Sequence, residues 1–278
     1  MILTIAHLGP TGTYAEAAAI AYAQQASGDG DYYLQAYPNI AQTIKAVTGG
    51  EVDLAIVPVE NSIEGSVAMT LDTIWQLATI QIQQALVLPI SHALITVAKD
   101  LSQIDRVYSH PQGLGQCQEW LEQFLPQAAR IPMNSTTEAL KTLTNEPHAA
   151  AISSVRAAQL YNLPVLAHPI NDRPDNQTKF WAISLKPSPG GHYTSVAFSL
   201  KENAPGGLVT ALGFFAHRRL NLSHVESRPS KRSLGDYVFF VDIEADANTP
   251  AMKSALADLT VYAEKIVNFG SYELVIGG

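Results

Sequence analysis

Thr178 and Lys179 place a hydroxyl and a cation side by side where a polar turn becomes an apolar run, in NDRPDNQTKFWAI (171–183). Asn171, Asp172, Pro174, Asp175 and Asn176 favour turns or compete with the backbone for hydrogen bonds. Phe180, Trp181, Ala182 and Ile183 read as a buried strand. On a strand, Thr178 and Phe180 face one side, and Lys179 and Trp181 the other. Alone, the segment also fits a plain loop entering a core strand. Its company gives it meaning.

Three other junctions share a strand–turn–helix design. Ile2 to Leu8 runs into GPTGTYAEAAAIAYAQQA, where Gly9, Pro10 and Gly12 make the turn and Thr11 or Thr13 caps an Ala-rich helix. Such a start leaves N–H groups aimed at one point, an anion site. The glycine spacing is neither the dinucleotide nor the Walker pattern. Leu54 to Val57 leads into PVENSIEGSV, which concentrates Glu60, Asn61, Ser62 and Ser66 beyond a strand end, where open α/β sheets bind ligands. Glu64 there reads as a solvated first-turn carboxylate. Arg106 to Ser109 leads into SHPQGLGQC, gathering Ser109, His110, Gln112 and Gln116. His110 has the chemistry of a general base, yet a lone His before Pro is more often structural. Cys117 reads as a small packed residue in the helix that begins there.

The elements that must position these residues alternate strand and helix, implying a largely parallel α/β arrangement. Ile80–Leu88 and His92–Val97 are predicted extended, Asn134–Leu143 a helix, Ala149–Ile152 a strand and Ser153–Tyr161 a helix. KPSPGGH (186–192) is the clearest linker, with two prolines and two glycines. Beyond it the order is βαββαβ, the ferredoxin-like unit.

At 278 residues the chain suffices for about two domains. Its 47% hydrophobic and 15% charged content is that of a globular protein. A net charge of −8 argues against nucleic acid or an anionic membrane as partner. The single cysteine, Cys117, cannot form an internal disulfide, and no Cys/His spacing resembles a zinc site. No apolar run approaches a membrane span, and the N-terminus reads as a strand rather than a signal peptide. The expectation is a cytoplasmic protein.

In order, GPTGTYAEAA (9–18), PVENSIEGSV (58–67), SHPQGLGQC (109–117) and NQTKF (176–180) resemble prephenate dehydratase. GGLV (206–209) and ESRP (226–229) resemble the two signatures of that family's ACT regulatory domain. The resemblance covers essentially the whole chain. It implies an α/β fold: a two-lobed periplasmic-binding-protein-like (type II) catalytic part, then a ferredoxin-like βαββαβ ACT domain. The expected bounds are 1–185 for the catalytic part, 186–193 for the linker and 194–278 for the ACT domain. Lobe 1 would comprise about 1–77 plus 162–185, and lobe 2 about 78–161.

The implied reaction removes carbon dioxide and water from prephenate, giving phenylpyruvate in L-phenylalanine biosynthesis, with no metal or other cofactor. Thr178 is matched to the family's essential hydroxyl, and Asn61, Gln116 and Ser109 to residues that orient the substrate. Thr11, Gly12, Thr13, Ser62, Lys179 and Phe180 are grouped as substrate-binding. Lys179 stands where the family usually has Arg, which costs the planar fork. Strand alternation points it away from Thr178, toward bracing rather than substrate. Ala15 stands where Ser is common. Phenylalanine as effector would sit at a subunit interface of a homodimer or homotetramer. Asn203, Gly206, Gly207, Leu208 and Val209 would hold its polar end, and Glu226, Ser227, Arg228 and Pro229 would close the site. Arogenate as substrate and a non-catalytic amino-acid sensor are the alternatives.

Overall fold

The computed structural model describes residues 2–27 and 31–277. Met1 and Gly278, the outer ends of the expected domains, lie outside the described residues. Three sheets organise the rest. The first runs in the order Leu274–Ile276, Gln81–Pro89, Gln177–Ser184, Leu54–Asn61, Leu3–Leu8 and Tyr32–Tyr37, with Gly65–Ser66 folded back on Glu60 and Asn61. Its central strands are apolar nearly throughout because both faces are covered. Helix Tyr14–Ser27 lays Ala15, Ala18, Ala19 and Ala23 against Ile5, Ile56 and Phe180 on one face. Helices Ile40–Thr48 and Ala68–Gln76 cover the other. The second sheet runs Val165–Ala167, Ala93–Thr96, Ala149–Ser153, Arg106–Ser109, Ala129–Pro132. These are the two lobes of a periplasmic-binding-protein-like fold.

The lobe bounds differ from expectation. Gln81–Pro89 belongs to the first sheet and Val165–Ala167 to the second. The sheets are also mixed rather than largely parallel, since Gln177–Ser184 is antiparallel to both its neighbours. The cause is the crossing. The chain leaves the first lobe along Gln81–Pro89 and returns along Gln177–Ser184, so these two strands pair antiparallel. The helix expected over 134–143 is reduced to one 3-10 turn, Glu138–Lys141; Ser135, Thr136, Thr137, Thr142 and Thr144 are poor helix formers. Cys117 is not inside a helix. It is buried at the break between Pro111–Gly115 and Gln118–Phe124, and burial pushes its thiol up, as suits an inert packed residue.

The third sheet, in the order Leu222–Pro229, Tyr237–Ile243, Tyr193–Leu200, Ala263–Tyr272, is antiparallel throughout. Helices Gly207–Ala216 and Pro250–Tyr262 pack on one face. The other face is not free. Ala197, Val238, Phe240, Val267, Phe269 and Tyr272 share one core with Ile80, Ile82, Trp181 and Ile183 of the first lobe. Leu274–Ile276 then leaves the third sheet to extend the first, parallel to Ala85–Val87.

The stretch expected to be a linker is pinned at this junction. Gly191 N donates to Asp246 Oδ2 (2.9 Å), and Ser271 N to Ser188 Oγ (2.7 Å). Gly191 has φ +149°, and a Cβ there would lie 2.2 Å from the Tyr272 carbonyl carbon. Backbone cannot yield as a flexible side chain does. Gly191→Ala is expected to cost about 3 kcal/mol, the upper range for overpacking, read as a lowered urea midpoint.

Candidate active site

The two crossings lie side by side. Ile90 N donates to Asn176 O (2.8 Å) and Ile170 N to His92 O (3.0 Å). Asn171 clamps them: its Nδ2 donates to Ile90 O (2.9 Å) and its Oδ1 accepts from His92 N (2.6 Å). Antiparallel register sets Thr178 directly opposite Asn61. The polar turn after Leu54–Asn61 and the turn before Gln177–Ser184 therefore meet at one point, beside the helix break that carries Gln116.

Hydrogen bonds fix how these amides face. Asn61 Oδ1 accepts from the backbone N–H groups of Ile63 and Glu64 (3.0 Å each), an Asx-type turn. Its Nδ2 must then be the donor side, and it reaches Thr178 Oγ1 (2.9 Å), Asn176 Oδ1 (2.8 Å) and Gln177 O (3.1 Å). Thr178 Oγ1 accepts that bond, so its own O–H proton is available to another acceptor. Asn176 passes the polarity on, donating from Nδ2 to Gln116 Oε1 (2.9 Å). The Gln116 Nε2 group faces Glu64 across the gap between lobes (3.5 Å). Thr178 is 8% and Gln116 9% exposed, so both lie in a nearly dry environment.

Other expected site residues stand elsewhere. Ser109 is fully buried, and its Oγ donates to Ile152 O (2.8 Å). A Cβ on Gly113 would come within 2.5 Å of Ser109 Oγ, so Ser109 forms the floor under Pro111–Gly115. Ser62 Oγ accepts from Gln177 N (2.9 Å), holding the Thr178 strand. Phe180 is 2% exposed and belongs to the core under helix Tyr14–Ser27; it faces packing, not a ligand. Lys179 Nζ binds Glu60 (2.8 Å) and Asp242 (2.9 Å) and so reaches the third sheet. That matches the direction given by strand alternation and departs from its grouping with substrate-binding residues.

The expected anion cradle at Thr11–Tyr14 is already filled. Gly12 N donates to Glu16 Oε2 (2.8 Å), and Thr13 Oγ1 caps Glu16 N (3.4 Å) while donating to Leu8 O (3.1 Å). Thr11 is exposed. Glu16 in turn pairs with Arg156 of the second lobe (2.5 Å), and Ser154 Oγ donates to Gly12 O (3.2 Å). The first junction is thus a lobe-to-lobe contact. His110 caps Gln112 N (3.3 Å), and burial lowers its pKa against the opposing effect of Glu64.

A family model described as Prephenate dehydratase matches residues 5–188, and one described as ACT domain matches 194–260. The chain belongs to the prephenate dehydratase family. It is therefore a lyase with a C-terminal ACT domain. A prephenate dehydratase of Lactococcus lactis subsp. cremoris is 35% identical over 283 residues, covering 98% of this chain and 99% of that protein. The prephenate dehydratase of Arthrobacter aurescens, solved in complex with L-Phe, is 34% identical with TM-score 0.85, covering 98% of this chain and 90% of that one. A structure called GqqA, described as a quorum quenching acylase, is 25% identical with TM-score 0.80, covering 97% of each chain. One scaffold thus carries differently named activities, and the site has to decide between them.

In this family member the two ACT signatures reach one end of the third sheet. Ser199 pairs with Val238, which pairs with Arg228. Gly206, with φ +80°, caps helix Gly207–Ala216. Gly207 is buried, and a Cβ there would sit 3.2 Å from Leu200 Cδ1. Leu208 packs on the ACT core while Val209 points out, 75% exposed. Asn203 Nδ2 donates to Gly235 O (3.0 Å). Strand alternation splits the second signature. Glu226 accepts from Ser66 Oγ (3.2 Å) and Arg228 pairs with Asp72 (3.2 Å), both toward the catalytic part, whereas Ser227 and Pro229 are exposed on the opposite side.

Sequence reasoning missed several contributors. Asn176 read as a turn former, though its place in NQTKF was a usable signal. Glu64 read as solvated, and it is exposed, but its approach to Gln116 Nε2 (3.5 Å) had no local signal. His92 and Arg156 carried no local signal, because each matters only through a residue distant in sequence.

Proposed function

We propose that this enzyme converts prephenate to phenylpyruvate, with Thr178 hydrogen-bonding the departing ring hydroxyl. The observation that carries this reading is the polarity at Thr178: Asn61 Nδ2 donates to Oγ1, which leaves the Thr178 proton available to the substrate. In the reaction the bond from ring to carboxylate breaks, releasing carbon dioxide. Its electron pair completes the aromatic ring as the carbon–oxygen bond to the hydroxyl breaks. The hydroxyl leaves as water after gaining one proton. A threonine hydroxyl is too weak an acid to ionise near neutrality, so it stabilises the leaving oxygen as a donor while the net proton arrives through water or a neighbour. Asn61 and Gln116 orient the substrate, and Ser109 and Ser62 hold the loops that present them. A nearly dry site favours loss of charge from the carboxylate that becomes carbon dioxide.

Acyl transfer through Thr178 would instead need its hydroxyl as an activated nucleophile. Its hydrogen-bond partner here is an amide N–H, which withdraws electron density from the oxygen.

L-phenylalanine as effector fits an ACT interface between two copies of the chain. Val209, Val225 and Tyr237 are 75%, 45% and 44% exposed on the ACT domain, and a second copy in a homodimer or homotetramer would cover them and complete a site near Gly206. Glu226, His224 and Asp242 would relay effector binding through Ser66, Glu60 and Lys179.

Parallel kcat/KM measurements with prephenate and arogenate test the substrate. Prephenate is expected to be preferred at least about tenfold, a difference of about 1.4 kcal/mol. Preference for arogenate would assign the alternative substrate. Phenylalanine binding with neither substrate consumed would leave a sensor.

A further inference from the structure

The polarity that begins at the backbone of Ile63 and Glu64 does not stop at Gln116. Because Gln116 Oε1 accepts from Asn176 Nδ2, its other neighbour, His92 Nε2 at 2.9 Å, must also be a donor. That fixes the imidazole tautomer, with the hydrogen on Nε2 and a bare Nδ1. His92 is 4% exposed, and its Nδ1 has no hydrogen-bond partner among the described residues. Burial lowers its pKa against the opposing effect of Gln116, which keeps the ring neutral. The ring is held in place from two sides. The Tyr14 ring meets it edge-on at 6.3 Å, and the His92 backbone is tied at N to Asn171 and at O to Ile170. A buried imidazole with an unused nitrogen is an unusual core residue, and here its one bond goes to the amide that faces the gap between lobes.

We infer that His92, at the lobe crossing, is a positioning residue that locks the Gln116 amide so that its NH2 group, not its carbonyl, is presented to the substrate. The inference rests on the reading of Gln116 as substrate-facing. Without His92, Gln116 Oε1 keeps one donor, Asn176, and the amide can rotate. A flipped Gln116 would turn a carbonyl oxygen toward a substrate that carries two carboxylates, a repulsive contact. His92 therefore serves selection of the dianion, although it touches no part of it.

The test is prephenate turnover by wild type, His92→Leu, His92→Gln and His92→Asn, with thermal unfolding of each. Wild-type turnover secures the functional reading separately. His92→Leu is expected to lower kcat/KM about tenfold, the worth of roughly one net hydrogen bond. His92→Gln, whose amide N–H reaches the Nε2 position, is expected to recover activity to within about threefold, whereas the shorter His92→Asn is not. Should His92→Leu fail to fold, the Gln and Asn pair, alike in chemistry and different in reach, decides the matter. Wild-type kcat/KM in His92→Leu, or equal activity in the Gln and Asn variants, would overturn the inference.

Discussion

Thr178→Val turns prephenate over about a thousandfold more slowly than wild type, within the range of 10²–10⁴ for a positioned proton or hydrogen-bond donor. Valine keeps the shape and β-branching that suit the strand Gln177–Ser184, and removes only the hydroxyl. The folded state loses one bond, from Asn61 Nδ2 to Oγ1. Stability should fall by only about 1 kcal/mol. KM should change little, because the leaving oxygen needs the donor most as the carbon–oxygen bond breaks. Steady-state kinetics with a thermal melt read both outcomes. A Thr178→Val enzyme with kcat within tenfold of wild type would remove the hydroxyl from the mechanism.

Lys179→Met destabilises the protein by about 3 kcal/mol or more, the cost of leaving a buried ion pair without one partner. Asp242 is 6% exposed, and beside Lys179 its carboxylate has the Ser195 hydroxyl as partner (2.5 Å). Methionine fills the space but strands that charge between the catalytic and ACT sheets. Burial pulls the Lys179 ammonium down, yet Asp242 and Glu60 raise its pKa overall. A raised pKa means the contribution is fully present below the unfolded value, about 10.4, and is lost as pH rises through the folded one. The melting difference between wild type and Lys179→Met should therefore be constant from neutral pH to about 10 and shrink above it. Lys179→Arg keeps the charge and should leave KM for prephenate within about tenfold. A larger change would return Lys179 to the substrate. Because Glu60 precedes Asn61, the Met variant should also blunt any response to phenylalanine.

Much of this was legible in residue order. Two of the three strand-end clusters, PVENSIEGSV and SHPQGLGQC, and NQTKF do meet, joining Asn61, Gln116, Asn176 and Thr178 in one hydrogen-bonded cluster, because polar residues beyond buried strands have few reasons to gather. Lys179 shows how far alternation reaches: it gave the direction of the side chain but not its partners, since Asp242 lies 63 residues away in sequence. The lobe bounds were not legible. Ile80–Leu88 looks the same whether it enters the first sheet or the second, and only pairing with Gln177–Ser184 decides. At Thr11–Tyr14 the helix start suggested an anion site, and the occupant proved to be Glu16 of the same helix. Capping and anion binding use the same N–H groups, so sequence could not say which had won. Phe180 illustrates the opposite error, since a motif residue beside Thr178 serves the core.

The most direct measurement is phenylpyruvate appearance when the purified chain meets prephenate in chelator-treated buffer, with carbon dioxide followed in parallel. The account predicts both products in equal amounts at an enzymatic rate that disappears with Thr178→Val. A folded wild-type protein that binds phenylalanine and releases neither product would contradict it.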